Sequence, residues 1–188
     1  MNTGKRAIFI DRDGVINDCV DRGDNCFVQG KPVRWTAPWT YREFKLKNNV
    51  QAALEALGRL GFLRILITNQ PDISYGLMEK DEHELIMSDI KKLPLDDIFV
   101  CLHGRDDGCE CKKPKPGMFK QAADKHNVDF KRSYAIGDRS NDLEPAHNLG
   151  CKTILLTSEQ SQNVTADFTA SDLLEGVAII KNDYENFY

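Results

Sequence analysis

The chain has 188 residues, 41% of them hydrophobic and 29% charged, which fits one folded domain with a sizeable core and excludes a disordered chain. A net charge of -4 and a pI near 5.6 argue against a general nucleic-acid binder but leave room for a local basic pocket that takes a small anion. No stretch has the length of a membrane-spanning helix, and the apolar run near the N-terminus ends in an aspartate, unlike a signal peptide.

In chain order, RAIFI (6–10) reads as a strand that stops at DRDG. The segment 18–47 that follows is long, irregular and aromatic, and a loop of that size in a compact domain is usually functional. NNVQAALEALGRLGF (48–62) has apolar residues at helical spacing and a glycine near its end. LRILIT (63–68) is a second strand, EKDEHELIMSDIKKL (79–93) a helix, and DIFVC (97–101) a third strand. PGMFKQAADKHN (116–127) opens with proline, as helices often do. SYAIG (133–137) is a fourth strand, DLEPAHNLG (142–150) a helix closed by glycine, KTILL (152–156) a fifth strand and SDLLEGVAIIK (171–181) a last helix. Alternating strands and helices predict an α/β, Rossmann-like three-layer sandwich: a mainly parallel sheet with helices on both faces and no inserted cap domain.

Ligands in such sheets bind beyond the carboxyl ends of the strands. Polar clusters fall at four of those ends. Asp11 and Asp13 follow the first strand; two carboxylates one residue apart repel unless a proton or cation lies between them, and Gly14 permits a tight turn behind them. Alone, the same residues also suit an acidic loop that caps a strand. Asp138 and Asp142 form a second acidic pair, where Asp142 also suits a helix N-terminus. Together the two pairs define a site for a hard divalent cation such as Mg2+. Thr68, Asn69 and Gln70 offer a hydroxyl and two amides to phosphate oxygens, and Lys113 adds a positive charge. An aspartate nucleophile, a metal, a hydroxyl and a lysine compose a phosphoryl-transfer site.

The third strand runs into Cys101, His103, Cys109 and Cys111, two pairs separated by five residues. Three thiolates and an imidazole suit a closed tetrahedral Zn2+ site, structural because no coordination position is open. Such an ion would pin the 101–111 loop and so fix where Lys112 and Lys113 point. Six cysteines with no sign of secretion fit a reduced, cytoplasmic setting, and Cys19, Cys26 and Cys151 read as ordinary cysteines.

DRDGV, TNQ, KKPKPG and GDRSND, in that order, resemble the four motifs of haloacid dehalogenase-superfamily phosphatases, and the resemblance spans nearly the whole chain. The cysteine–histidine cluster is similar to that of the zinc-containing subgroup of heptose bisphosphate and histidinol phosphate phosphatases. The resemblance implies that Asp11 is the nucleophile and forms an aspartyl-phosphate. Asp13 protonates the leaving oxygen and then activates water. Mg2+ is held by Asp11, the Asp13 carbonyl and Asp138, while Thr68 and Lys113 hold the phosphoryl. Asn69, Gln70, Lys112 and Arg139 are expected to bind the rest of the substrate.

Some positions depart from the pattern. Lys112 stands where heptose enzymes typically carry arginine, and Tyr75 where arginine is common; the five-residue gap resembles the histidinol type, whereas TNQPDISYG and KPKPGM resemble the heptose type. The implied substrate is D-glycero-D-manno-heptose 1,7-bisphosphate, hydrolysed to the heptose 1-phosphate. Histidinol phosphate is the alternative, and a nucleic-acid 3′-phosphate a more distant one. The expected partner is a small phosphorylated metabolite, with no nucleic acid or membrane, and the expected state a monomer. Trp35, Trp39 and Tyr41 either cover a sugar ring or pack the 18–47 segment down.

Overall fold

The run RAIFI becomes strand β1 (Ala7–Ile10) because each of its residues has an apolar face of the sheet to enter; all four are buried. The structure, a computed structural model, describes residues 4–159, 161 and 163–187. Four two-residue strands follow β1: β2 (Val20–Asp21), β3 (Phe27–Val28), β4 (Lys31–Pro32) and β5 (Trp35–Thr36). Then come α1 (Val50–Arg59), β6 (Leu63–Asn69), α2 (Lys80–Ile90), β7 (Asp97–Cys101) and α3 (Gly117–His126). The chain continues through β8 (Tyr134–Gly137), α4 (Ser140–Leu149), β9 (Lys152–Leu156), β10 (Phe168–Ala170) and α5 (Leu173–Phe187).

Six strands make one sheet in the order β10-β9-β8-β1-β6-β7, and every pairing in it is parallel. Strand alternation divides the core in two. Ile8 and Ile10 face one side with Leu54 and Leu57 of α1, Ile86 and Ile90 of α2 and Val177 and Ile180 of α5. Ala7 and Phe9 face the other with Met118 and Phe119 of α3 and Leu143 and Ala146 of α4. Each large side chain removed from water there contributes on the order of 1.5–3 kcal/mol. This is the three-layer arrangement that the alternating elements predict.

Two elements differ from expectation. β10 extends the sheet beyond β9, and its three residues are too short a run to carry a strand signal. The 18–47 segment is more ordered than its composition suggests. β2 pairs with β5 and β3 with β4, both antiparallel, to give a nested hairpin. The segment is fastened rather than packed. Arg22 makes a two-pronged ion pair with Glu43 at 2.6 and 2.7 Å and lies 3.9 Å over the Trp39 ring. The Tyr41 hydroxyl bonds Asp89 of α2 at 2.5 Å. No inserted cap domain is evident among the described residues.

Candidate active site

The register brings the polar clusters together. Ile10 of β1 pairs with Leu66 of β6 on one side and Ile136 of β8 on the other, and Asn69 pairs with Cys101 of β7. Asp11 and Asp13 therefore leave the sheet at its centre, flanked by Thr68–Gln70 and by Asp138. Asp11, Asp13, Asn69, Lys112, Lys113, Asp138 and Arg139 all line one cavity of about 300 Å³.

Lys113 is buried, and its Nζ donates to Asp11 Oδ1 at 2.6 Å and to the Ile67 carbonyl at 2.8 Å. It also lies 2.6 Å from Asp142 Oδ1. Burial disfavours its charge, but Asp11 and Asp142 outweigh that and push its pKa upward. Asp11, Asp138 and Asp142 offer carboxylate oxygens within 4.8 Å of one another. Burial, then the charge of Asp142, pushes Asp11 up to about 8; the same two causes push Asp138 up to about 7. Both Asp138 oxygens are buried without a hydrogen-bond partner. Three crowded carboxylates, one with orphaned oxygens, fit a divalent cation. Gly14 has a positive φ of 88°, and a Cβ there would collide with the Asp138 carboxylate, so only glycine lets the turn approach so closely.

Asp142 serves two neighbours. Its Oδ2 accepts the Arg139 backbone N–H at 3.2 Å at the start of α4, while Oδ1 meets Lys113. Its helix-capping and its site contacts are thus one arrangement. The Asp13 carboxylate lies outside the three-carboxylate group and takes four hydrogen bonds from Arg12, Asn17 and Gln70. Burial alone would raise its pKa, but the Arg12 guanidinium and these donors hold it below the usual carboxylate range.

The two amides after Thr68 have protein partners. Asn69 Nδ2 donates to the Lys113 carbonyl and its Oδ1 accepts the Lys113 N–H, both at 3.0 Å, so Asn69 clamps the lysine's backbone. Gln70 Nε2 donates to Asp13 Oδ2 at 2.6 Å and to Thr68 Oγ1 at 2.9 Å. Lys112 lines the cavity while its Nζ donates to the His103 carbonyl at 3.0 Å. Arg139 reaches across to the Trp35 carbonyl at 3.5 Å.

Of the three aromatics in the 18–47 segment, Trp35 lines the cavity, with Val28, Val33 and Thr36; Trp39 and Tyr41 are fasteners. The sequence reading did not single out Arg12, Asn17, Asp72 or Arg105. Asp72 and Arg105 line the cavity, and burial followed by the charge of Asp13 raises Asp72 to about 6. A charged residue between two strand-end aspartates was the signal available for Arg12.

The second cluster is compact as well. Cys101 Sγ lies 3.8 Å from Cys109 Sγ and 3.2 Å from Cys111 Sγ, and His103 Nδ1 is 3.5 Å from Cys101 Sγ and 3.2 Å from Cys111 Sγ. A tetrahedron with metal–sulfur bonds of about 2.3 Å has edges near 3.8 Å, so the four side chains fit a zinc ion.

A family model described as HAD-hydrolase-like matches residues 110–177. The D-glycero-β-D-manno-heptose-1,7-bisphosphate 7-phosphatase of Helicobacter pylori J99 is 33% identical over 166 residues, covering 85% of this chain and 87% of the relative. The D-glycero-α-D-manno-heptose-1,7-bisphosphate 7-phosphatase of Photorhabdus laumondii is 30% identical, covering 90% and 97%. Among solved structures, D,D-heptose 1,7-bisphosphate phosphatase from B. bronchiseptica, complexed with magnesium and phosphate, aligns over 95% of this chain and 99% of its own with a TM-score of 0.76 and 26% identity.

Proposed function

We propose that this chain, which belongs to the D-glycero-D-manno-heptose-1,7-bisphosphate phosphatase family of haloacid dehalogenase-like hydrolases, removes the 7-phosphate of a heptose 1,7-bisphosphate and leaves the 1-phosphate. It is a phosphoric monoester hydrolase by family. The observation that carries the reading is the buried Lys113–Asp11 contact beside the orphaned Asp138 carboxylate, in a cavity that Arg105, Lys112 and Arg139 also line.

In this reading Asp11 attacks phosphorus and the ester P–O bond breaks. Asp13, ionised in the free site, takes up a proton as the negatively charged phosphoryl arrives beside it and gives that proton to the departing sugar oxygen. Asp13, now a carboxylate, takes a proton from the water that attacks the aspartyl-phosphate, and the bond to Asp11 breaks to release inorganic phosphate. Lys113 and the Thr68 hydroxyl hold the non-bridging oxygens, where negative charge redistributes. Asp11, the Asp13 carbonyl and Asp138 would hold Mg2+, which offsets the charge of the carboxylates and the phosphoryl. Cys101, His103, Cys109 and Cys111 would hold a structural Zn2+ that fixes the direction of Lys112 and Lys113. Lys112, Arg139, Asn69 and Gln70 remain the expected substrate side of the site; for the two amides the contribution is through Lys113 and Asp13. The 18–47 hairpin supplies the wall opposite the zinc loop.

Relatives that act on the β and on the α anomer match at similar identity, 33% and 30%. One observation favours a second reading, histidinol phosphate: Asp72 places a carboxylate in the cavity, where a substrate amine would be welcome and a second phosphate would not. The setting inferred is a cytoplasmic monomer whose 188 residues act as one catalytic domain on small metabolites. No described helix is long and apolar enough to cross a membrane. A phosphate-release comparison of both heptose 1,7-bisphosphate anomers, histidinol phosphate and a 3′-phosphorylated oligonucleotide tests the reading. A preference for either bisphosphate by at least about tenfold in kcat/KM supports it; a preference for histidinol phosphate or the oligonucleotide overturns it.

A further inference from the structure

Arg12 stands between the two aspartates of DRDG and, unlike both of them, does not line the cavity. It is fully buried, 0% exposed. A guanidinium in that position requires a partner, and its main partner is Asp13: Nε and Nη2 donate to Asp13 Oδ1 at 3.2 and 2.9 Å. The third nitrogen, Nη1, meets the Met87 sulfur of α2 at 3.9 Å. Asn17 Nδ2 adds a third bond to the same Asp13 oxygen at 3.0 Å. Asn17 is itself fixed, because the N–H groups of Ile16 and Asn17 both donate to the Arg12 carbonyl at 2.7 and 3.1 Å. Gln70, 1% exposed, donates the single bond to Asp13 Oδ2 at 2.6 Å.

The two carboxylate oxygens are therefore unequal. Oδ1 faces three donors and has no lone pair left for a proton. Oδ2 has one donor and keeps acceptor capacity, and Asp13 lines the cavity. An aspartate χ2 is otherwise a broad, soft torsion. We propose that Arg12, together with Asn17 and Gln70, is a positioning set for Asp13: it locks the carboxylate so that Oδ2 is the oxygen that gives and takes the proton. This rests on the reading above, in which Asp13 serves the leaving oxygen. Arg12 does not touch substrate in this account. It acts only through Asp13.

The test compares two esters, heptose 1,7-bisphosphate (histidinol phosphate if that is the better substrate) and p-nitrophenyl phosphate. The second has a leaving group that needs no proton. kcat/KM reports the steps up to leaving-group departure, so help from a general acid appears in it directly. Four variants are measured: Asp13→Asn, Arg12→Met, Arg12→Lys and Gln70→Met. Arg12→Lys keeps a buried cation and guards against a folding failure of Arg12→Met. A misplaced catalytic group costs up to ~100-fold. Arg12→Met and Gln70→Met should lose roughly 10- to 100-fold with the alkyl ester and under about 5-fold with the aryl ester, with KM changed less than about 3-fold. Arg12→Lys should recover part of that loss. If Asp13→Asn itself loses equally with both esters, the acid role is wrong and the reading beneath falls. If Asp13→Asn discriminates between the esters but Arg12→Lys and Gln70→Met lose equally on both, lose nothing or gain activity, the positioning role is overturned and the reading stands.

Discussion

The cavity has two walls built by different physics. One is the loop from Cys101 to Lys113, where four ligand atoms converge within 4.8 Å and the chain passes straight into the two lysines. The other is the 18–47 hairpin, held by ion pairs, a stacked tryptophan and a tyrosine tethered to α2. A metal demands fixed residue types at close spacing, so the first wall is written into the sequence as a pattern. Ion pairs and aromatic stacks accept many partners at many spacings, so the second wall carries no pattern. The first wall should thus be intolerant of single changes and the second graded in its response.

The largest effect is expected on the cysteine–histidine side. Protein purified without chelator should carry one zinc per chain, and Cys109→Ser should lose it. Structural zinc binding is folding free energy, and a loss of about 5 kcal/mol lowers Tm by roughly 10–20 °C in a chain of this size. Metal analysis and a thermal melt check both; a variant with unchanged Tm would erase the difference between the walls. Next is Lys112→Ala. A charge-assisted contact to the distal phosphate is worth ~1.5–3 kcal/mol, so KM for a bisphosphate should rise roughly 10- to 150-fold with kcat little changed. A monophosphate should hardly respond, and equal rises for both would remove Lys112 from the distal phosphate.

The hairpin should respond more mildly. Arg22→Ala removes the two-pronged pair with Glu43 and the stack on Trp39, for about 1–2 kcal/mol and a Tm shift of roughly 2–8 °C. KM should rise more than kcat falls, because the wall carries Trp35 and not the reacting groups. The smallest effect is expected at Arg34→Ala. Arg34 pairs with Asp21 at 2.9 Å on an exposed surface, where solvent screening leaves such contacts little value. A thermal melt indistinguishable from wild type is expected, and a loss as large as that of Arg22→Ala would mean the hairpin is less graded than its contacts suggest.

The same contrast explains what could be read in the chain before its structure. β1, β6 and β8 were legible because parallel strands buried on both faces are continuous apolar runs, and their polar ends marked the site. Cys101, His103, Cys109 and Cys111 were legible from spacing alone. The hairpin was not, because two-residue strands are too short to show a period. The partners of Asn69 and Gln70 were not legible either: whether an amide faces a ligand or a neighbour depends on Lys113 and Asp13, distant in sequence and adjacent only in the fold. Arg12 was hidden for a different reason: its partner Asp13 is the next residue, but whether two adjacent side chains turn toward each other depends on the local bend of the backbone, which composition and spacing do not show.

The central claim is that phosphate passes through Asp11. It is tested most directly by acid-quenching the enzyme within its first turnover on 32P-labelled substrate and mapping the labelled peptide, with Asp11→Asn run in parallel. The account predicts an acid-stable label on the peptide carrying Asp11 that decays as inorganic phosphate appears, and neither label nor turnover in Asp11→Asn. A label on another residue, or phosphate release by Asp11→Asn at a rate near wild type, would contradict it.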